Sequence, residues 1–120
     1  MKSYTDIEQS NKLAKMLPPE SADMYYPNRV GMDNYPLLVE WKNGNKLLSQ
    51  EIPCWSLAAL LAVIDNTKDE VFFYDLQHDM ILGWMIDVEG GGWYEETDFF
   101  DNPVDACCEM IVKLHKQKML

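Results

Sequence analysis

The chain has 120 residues, 48% of them apolar, and a formal net charge of −10. The length suits a single domain spanning residues 1–120, and the apolar fraction is that of a folded chain, not a disordered one. The longest apolar run, residues 55–64, is interrupted by Ser56 and falls short of the roughly 18 residues that cross a bilayer; the opening Met1-Lys2-Ser3-Tyr4-Thr5-Asp6 has no apolar core of a secretory signal, so a cytoplasmic protein without a membrane partner is expected.

The first predicted element is a helix over residues 6–17. Thr5 stands three residues before Glu8, the spacing of a capping box, and Pro18-Pro19 stops the helix. Residues 21–26 read as a short strand or turn, and loop signals follow to residue 34. A hairpin is predicted with arms 37–42 and 46–51 around Asn43-Gly44, the preferred pair where both turn positions take positive φ. A second helix over 55–65, with Pro53 at its entrance, is apolar on nearly every side and is expected to be central.

Three strands come next, over 70–76, 82–88 and 93–99. In the middle one Leu82, Trp84, Ile86 and Val88 share a face, and Gly90-Gly91-Gly92 supplies the reversal into the third. The last helix covers 103–118: Asn102 caps it, Pro103 takes its first position, and Lys113, Lys116 and Lys118 lie near its C-terminal end, where they complement the dipole. The predicted order is α-β-β-α-β-β-β-α. The expected fold class is α+β, a mainly antiparallel sheet of about five strands with helices packed on one face.

The negative charge is unevenly placed. Residues 65–109 hold thirteen acids against the single base Lys68, a net of −12, whereas residues 1–64 hold seven acids and six bases. Such a field repels phosphate backbones and draws in basic proteins. Direct nucleic-acid binding is therefore disfavoured. Cys54, Cys107 and Cys108 are odd in number and read as three buried thiols of a reducing compartment.

Two segments carry a resemblance: Ile52-Pro53-Cys54-Trp55-Ser56-Leu57-Ala58-Ala59-Leu60-Leu61, and Asp101 to Ile111 with Lys113-Leu114-His115. With Tyr4-Thr5-Asp6-Ile7-Glu8-Gln9-Ser10 and Glu20-Ser21-Ala22-Asp23-Met24, they resemble a group of small proteins of Bacteroides-type gut bacteria and their phages and mobile elements. The resemblance covers most of the chain. It implies a bacterial cytoplasmic or prophage origin and carries no catalytic or binding residue with it.

No catalytic signature stands out. His78 and His115 are the only imidazoles, and no nucleophile elbow or protease motif accompanies Cys54. Asp75-Leu76-Gln77-His78-Asp79 lacks a metal-ligand spacing and reads as a polar hairpin turn, so neither metal nor cofactor is implied. The candidate binding residues are Trp93, Tyr94, Glu95, Glu96 and Asp98, with Tyr25 and Tyr26: aromatics next to acids or a proline, the pairing found at interface centres. The other aromatics, Trp41, Trp55, Trp84 and Tyr74, suit the core. The expected function is a non-enzymatic protein-binding module whose partner is a basic protein or a second copy. Two alternatives are a small enzyme or ligand-binding domain using carboxylates and aromatics around 93–98, and a DNA-mimic inhibitor with acids in two rows.

Overall fold

The computed structural model describes residues 1–27, 35–39, 47, 50–67 and 71–119. Their elements run α1 (Ile7–Ala14), a single 3-10 turn (Pro19–Ser21), β1 (Met24–Tyr26), β2 (Leu37–Leu38), β3 (Ile52–Cys54), α2 (Leu57–Asp65), β4 (Val71–Asp79), β5 (Gly83–Gly90), β6 (Trp93–Glu96) and α3 (Pro103–Lys116). The class is α+β, but the strands form two antiparallel sheets of three, β2-β1-β3 and β4-β5-β6, in place of one sheet of about five. The predicted element order is corrected with it, since a third strand, β3, precedes α2.

That correction turns on Pro53. It lies within β3, opposite Tyr25, where the sequence reading put it at a helix entrance. Among the described residues β3 is an edge strand, which tolerates a residue with no N–H to give to the ladder. Helix α2 therefore begins two residues later than Trp55, with Ser56 as its cap accepting from the Ala59 N–H. Its buried side is Ala59, Leu60, Val63 and Ile64, while Ala58 and Ala62 face outward, so it packs by one face and is not enclosed all round. Leu37–Leu38 do form a strand, but their partner is β1. The Asn43-Gly44 turn, Trp41 and half of each predicted hairpin arm lie outside the described residues.

Helix α1 is capped by Asp6, not Thr5. Asp6 accepts from the Gln9 N–H, and the Gln9 side chain accepts from the Asp6 N–H in return. Thr5 is diverted into the interior. Its Oγ1 accepts from the Trp55 N–H at 3.1 Å and shares a proton with Ser10 Oγ at 2.7 Å. Its carbonyl accepts from the Tyr26 hydroxyl at 2.6 Å. Regular helix ends at Ala14, and residues 15–17 continue as turns, bonded back to Leu13 and Lys12.

Helix α3 follows its sequence signals, with the Asn102 side chain accepting from the Asp105 N–H, and stops at Lys116. Val104, Cys107, Met110, Ile111 and Leu114 are fully buried. They join Leu13, Trp55, Leu60, Ile64, Ile86 and Val88 in one apolar cluster that packs the second sheet against the helices. All three cysteines are buried free thiols, and burial pushes Cys107 and Cys108 up to about 12.

The β4–β5 hairpin turns through Met80, Ile81 and Leu82. Gly83, at φ +104°, faces the Phe100 carbonyl so closely that a Cβ would come within 2.3 Å of its oxygen, so glycine is required there twice over. Beyond β6 the chain keeps hold of β5: Thr97 exchanges hydrogen bonds with Ile86, and Phe100 with Trp84. The predicted third strand, 93–99, is thus regular only as far as Glu96. Among the described residues no helix is long and apolar enough to cross a membrane.

Candidate functional site

Strand alternation gives the second sheet two unlike faces. Toward the helices it turns Ile86 and Val88, both fully buried, together with the half-buried Tyr74, Leu76, Trp84 and Trp93. Away from them it turns Phe73, Asp75 and Gln77 of β4, the buried Met85 with Asp87 and Glu89 of β5, and Tyr94 and Glu96 of β6. The register then lines these residues up. Asp75 is opposite Asp87, and Asp87 is opposite Glu96, a row of three carboxylates across three strands. The next row is Phe73, Glu89 and Tyr94. No Lys or Arg occurs between residues 71 and 98, so the row has no base on its own strands.

Directly opposed side chains in such a sheet stand about 5 Å apart at Cβ, and like charges there destabilise. The face has few donors to relieve that repulsion. The Tyr94 hydroxyl lies 3.0 Å from Asp87 Oδ2 and 3.1 Å from Glu96 Oε2, one proton between two carboxylates. Gln77 Nε2 donates to Asp87 at 3.1 Å. Local desolvation, together with the two acceptor carboxylates, pushes the Tyr94 phenol up to about 12. Tyr94 is nonetheless 52% exposed and Phe73 54% exposed, so two aromatic rings stand open beside the acids.

One end of this face is apolar. Met80 and Ile81, at the β4–β5 tip, are 94% and 93% exposed, and Leu82 is exposed beside them. The tip is held in shape by Asp79, whose Oδ1 accepts from the Ile81 and Leu82 N–H groups, both at 2.8 Å. Those bonds hold the Asp79 carboxyl below its usual range.

The residues singled out from sequence fall in three places. Tyr94 and Glu96 lie on the outer face. Trp93 and Glu95 point to the opposite side, where Glu95 accepts from Gln117 and pairs with Lys113 at 3.9 Å. The Trp93 indole N–H is buried there with no acceptor among the described residues. Asp98 is exposed beyond the end of β6. Tyr25 and Tyr26 belong to the other sheet, and Tyr26 is a core residue whose hydroxyl is already spent on Thr5.

Asp75 to Asp79 form the second half of β4, not a turn. Alternation sends Asp75 and Gln77 outward, while His78 stacks on Trp84 with ring centroids 4.4 Å apart. Cys54, at the end of β3, contacts Thr5, among different neighbours from His78. Among the described residues no cluster of His, Cys, Asp or Glu has the arrangement to hold a metal ion. Among the described residues, three grooves of about 540, 280 and 260 Å³ are lined mainly by the helices, the turn after α1 and the first residues of the chain, and none of the three is lined by residues 93–98. Asp87 and Phe73 are not among the candidates read from sequence, and Asp75 and Gln77 read there only as part of a polar turn; their signal is the polar alternation of β4 and β5, which names a face but not its register.

Comparison with known proteins found no matching family model, curated protein or solved structure.

Proposed function

We propose that this chain is a non-enzymatic protein-binding module and that the outer face of its second sheet engages a basic protein. The observation that carries the reading is the Asp75–Asp87–Glu96 row, three carboxylates set against one another on an exposed sheet with aromatics at their side. Like charges directly opposed in a sheet cost stability, and neutral side chains would pack there without that repulsion. A cationic surface would relieve it. The open rings of Phe73 and Tyr94 and the apolar tip at Met80–Ile81–Leu82 favour a protein over a small cation, since aromatic and apolar groups beside a charged rim are the make-up of an interface.

The test is affinity capture from the source cell, comparing the natural chain with Asp75→Asn/Asp87→Asn/Glu96→Gln. The expected result is a basic protein retained at low salt, released as salt screens the field, and not retained by the triple variant. Equal retention by both chains, or no retention at low salt, defeats the reading.

A further inference from the structure

Among the described residues strand β4 is an edge: it pairs with β5 on one side and with no strand on the other, over its whole length from Val71 to Asp79. The opposite edge of the same sheet, β6, has only four residues, and Phe100 and Thr97 continue beyond it along β5. A free edge presents unpaired N–H and C=O groups, and proteins usually guard it with shortness, proline or lysine. β4 contains no proline and no lysine. Its register is irregular between Val71 and Phe73 and regular from Phe73 to Asp79.

The side chains along that regular stretch are only partly covered: Tyr74 and Leu76 pack on the core from one side. On the inner face Ile86 and Val88 of β5 are fully buried, yet Tyr74 and Leu76, their direct partners one strand over, are only half-buried. On the outer face Phe73 is 54% exposed. An added strand would supply the missing cross-strand contact to all three. The charge then selects what can dock. A second copy aligned on this edge would bring the acidic faces of two chains together, with Asp75 and Asp79 from each, which deters self-pairing. A strand with Lys or Arg opposite Asp75 meets attraction there instead.

We propose that the edge of β4 from Phe73 to Asp79 is a docking site for an extended basic segment of a protein partner, which joins the sheet as a further strand. The pattern it fits is a basic residue opposite Asp75 with apolar residues opposite Tyr74 and Leu76, so that basic and apolar positions alternate. Main-chain hydrogen bonds supply affinity and the alternating side chains supply selection. The inference rests on the protein-binding reading above and adds to it the place and the form of the partner.

The probe is a heptapeptide alternating lysine and valine, compared at low salt with its glutamate–valine counterpart and with a lysine–valine peptide N-methylated at alternate residues. N-methylation keeps the charge and removes the edge hydrogen bonds. Calorimetry should show the lysine peptide binding, the methylated one weaker by about tenfold or more, and the glutamate peptide not binding. Hydrogen exchange should slow at alternate β4 amides, those that point away from β5. Asp75→Lys should reverse the preference between the two charged peptides. Equal binding of methylated and unmethylated peptides, without protection of β4, overturns strand addition while leaving a charge-driven interface in place. No binding of either lysine peptide overturns both readings.

Discussion

The two sheets treat their polar groups in opposite ways. Around Thr5, beside the first, each of these polar groups finds a partner: Thr5 Oγ1 with Ser10 and Trp55, the Thr5 carbonyl with Tyr26, Ser56 with Asp23, and the Trp55 indole with Ser21. On the outer face of the second, Asp75, Asp87 and Glu96 are drawn up against one another with one phenol and one amide between them. The first region has the make-up of a junction that holds the fold. The second sets like charges in register, which costs stability, and the proposed interface is built on that charge.

The contrast predicts unequal responses to mutation. Trp55 is fully buried at the meeting of the first sheet and α2, so Trp55→Ala should cost about 3–5 kcal/mol in urea unfolding. Thr5→Val keeps the shape but strands the Trp55 N–H and Ser10 Oγ, and about 2–3 kcal/mol should go with them. If either variant is near neutral, the junction is not what holds the fold.

Asp105 tests the same junction from α3. Partial burial pushes its carboxyl up, but hydrogen bonds from Lys2, Gln9 and Asn102 outweigh it and hold the group below the usual carboxylate range. The same contacts raise Lys2, because hydrogen bonds to Asp105 and Asp6 outweigh its own desolvation. A depressed carboxyl stabilises above its unfolded pKa, near 3.8, and loses that contribution as pH falls through its lower folded value. Asp105→Asn should therefore cost about 1–2 kcal/mol at neutral pH, discounted for its partial exposure, with the gap to the natural chain closing in acid. A gap that persists unchanged below pH 3 would mean the charge is not the cause.

On the second sheet the sign should reverse. Asp87→Asn removes the central charge of the row and should raise stability by about 0.2–1 kcal/mol while weakening partner capture. The smallest effect is spectroscopic. The Tyr94 phenol, held up to about 12 by desolvation and then by its carboxylate neighbours, should titrate closer to 10 in Asp87→Asn/Glu96→Gln, read from phenolate absorbance. A Tyr94 midpoint that does not move would place the cause elsewhere.

What sequence made legible follows from how local each signal is. Asn102, Pro103 and Asp105 sit within four residues and mark the start of α3 correctly. The glycine reversal before Trp93 is local too, with Gly91 and Gly92 between the paired Gly90 and Trp93 and Gly92 at φ +82°. The capping box slipped by one residue because Thr5 and Asp6 are both capable caps, and Trp55, fifty residues away, decides between them. The division into two sheets depends on Pro53 pairing with Tyr25, which no local pattern encodes. The density of acid was plain in the composition. Its gathering into the Asp75–Asp87–Glu96 row was not, because a shift of one residue in either pairing sends the same side chains to the other face.

The most direct test of this account is the unfolding free energy of Asp75→Asn/Asp87→Asn/Glu96→Gln against the natural chain at low and at high salt. The account predicts a variant more stable than its parent at low salt, with the difference shrinking as salt screens the repulsion. A variant less stable than its parent at low salt would show that the three carboxylates serve the fold, and the outer face would lose its claim to be an interface.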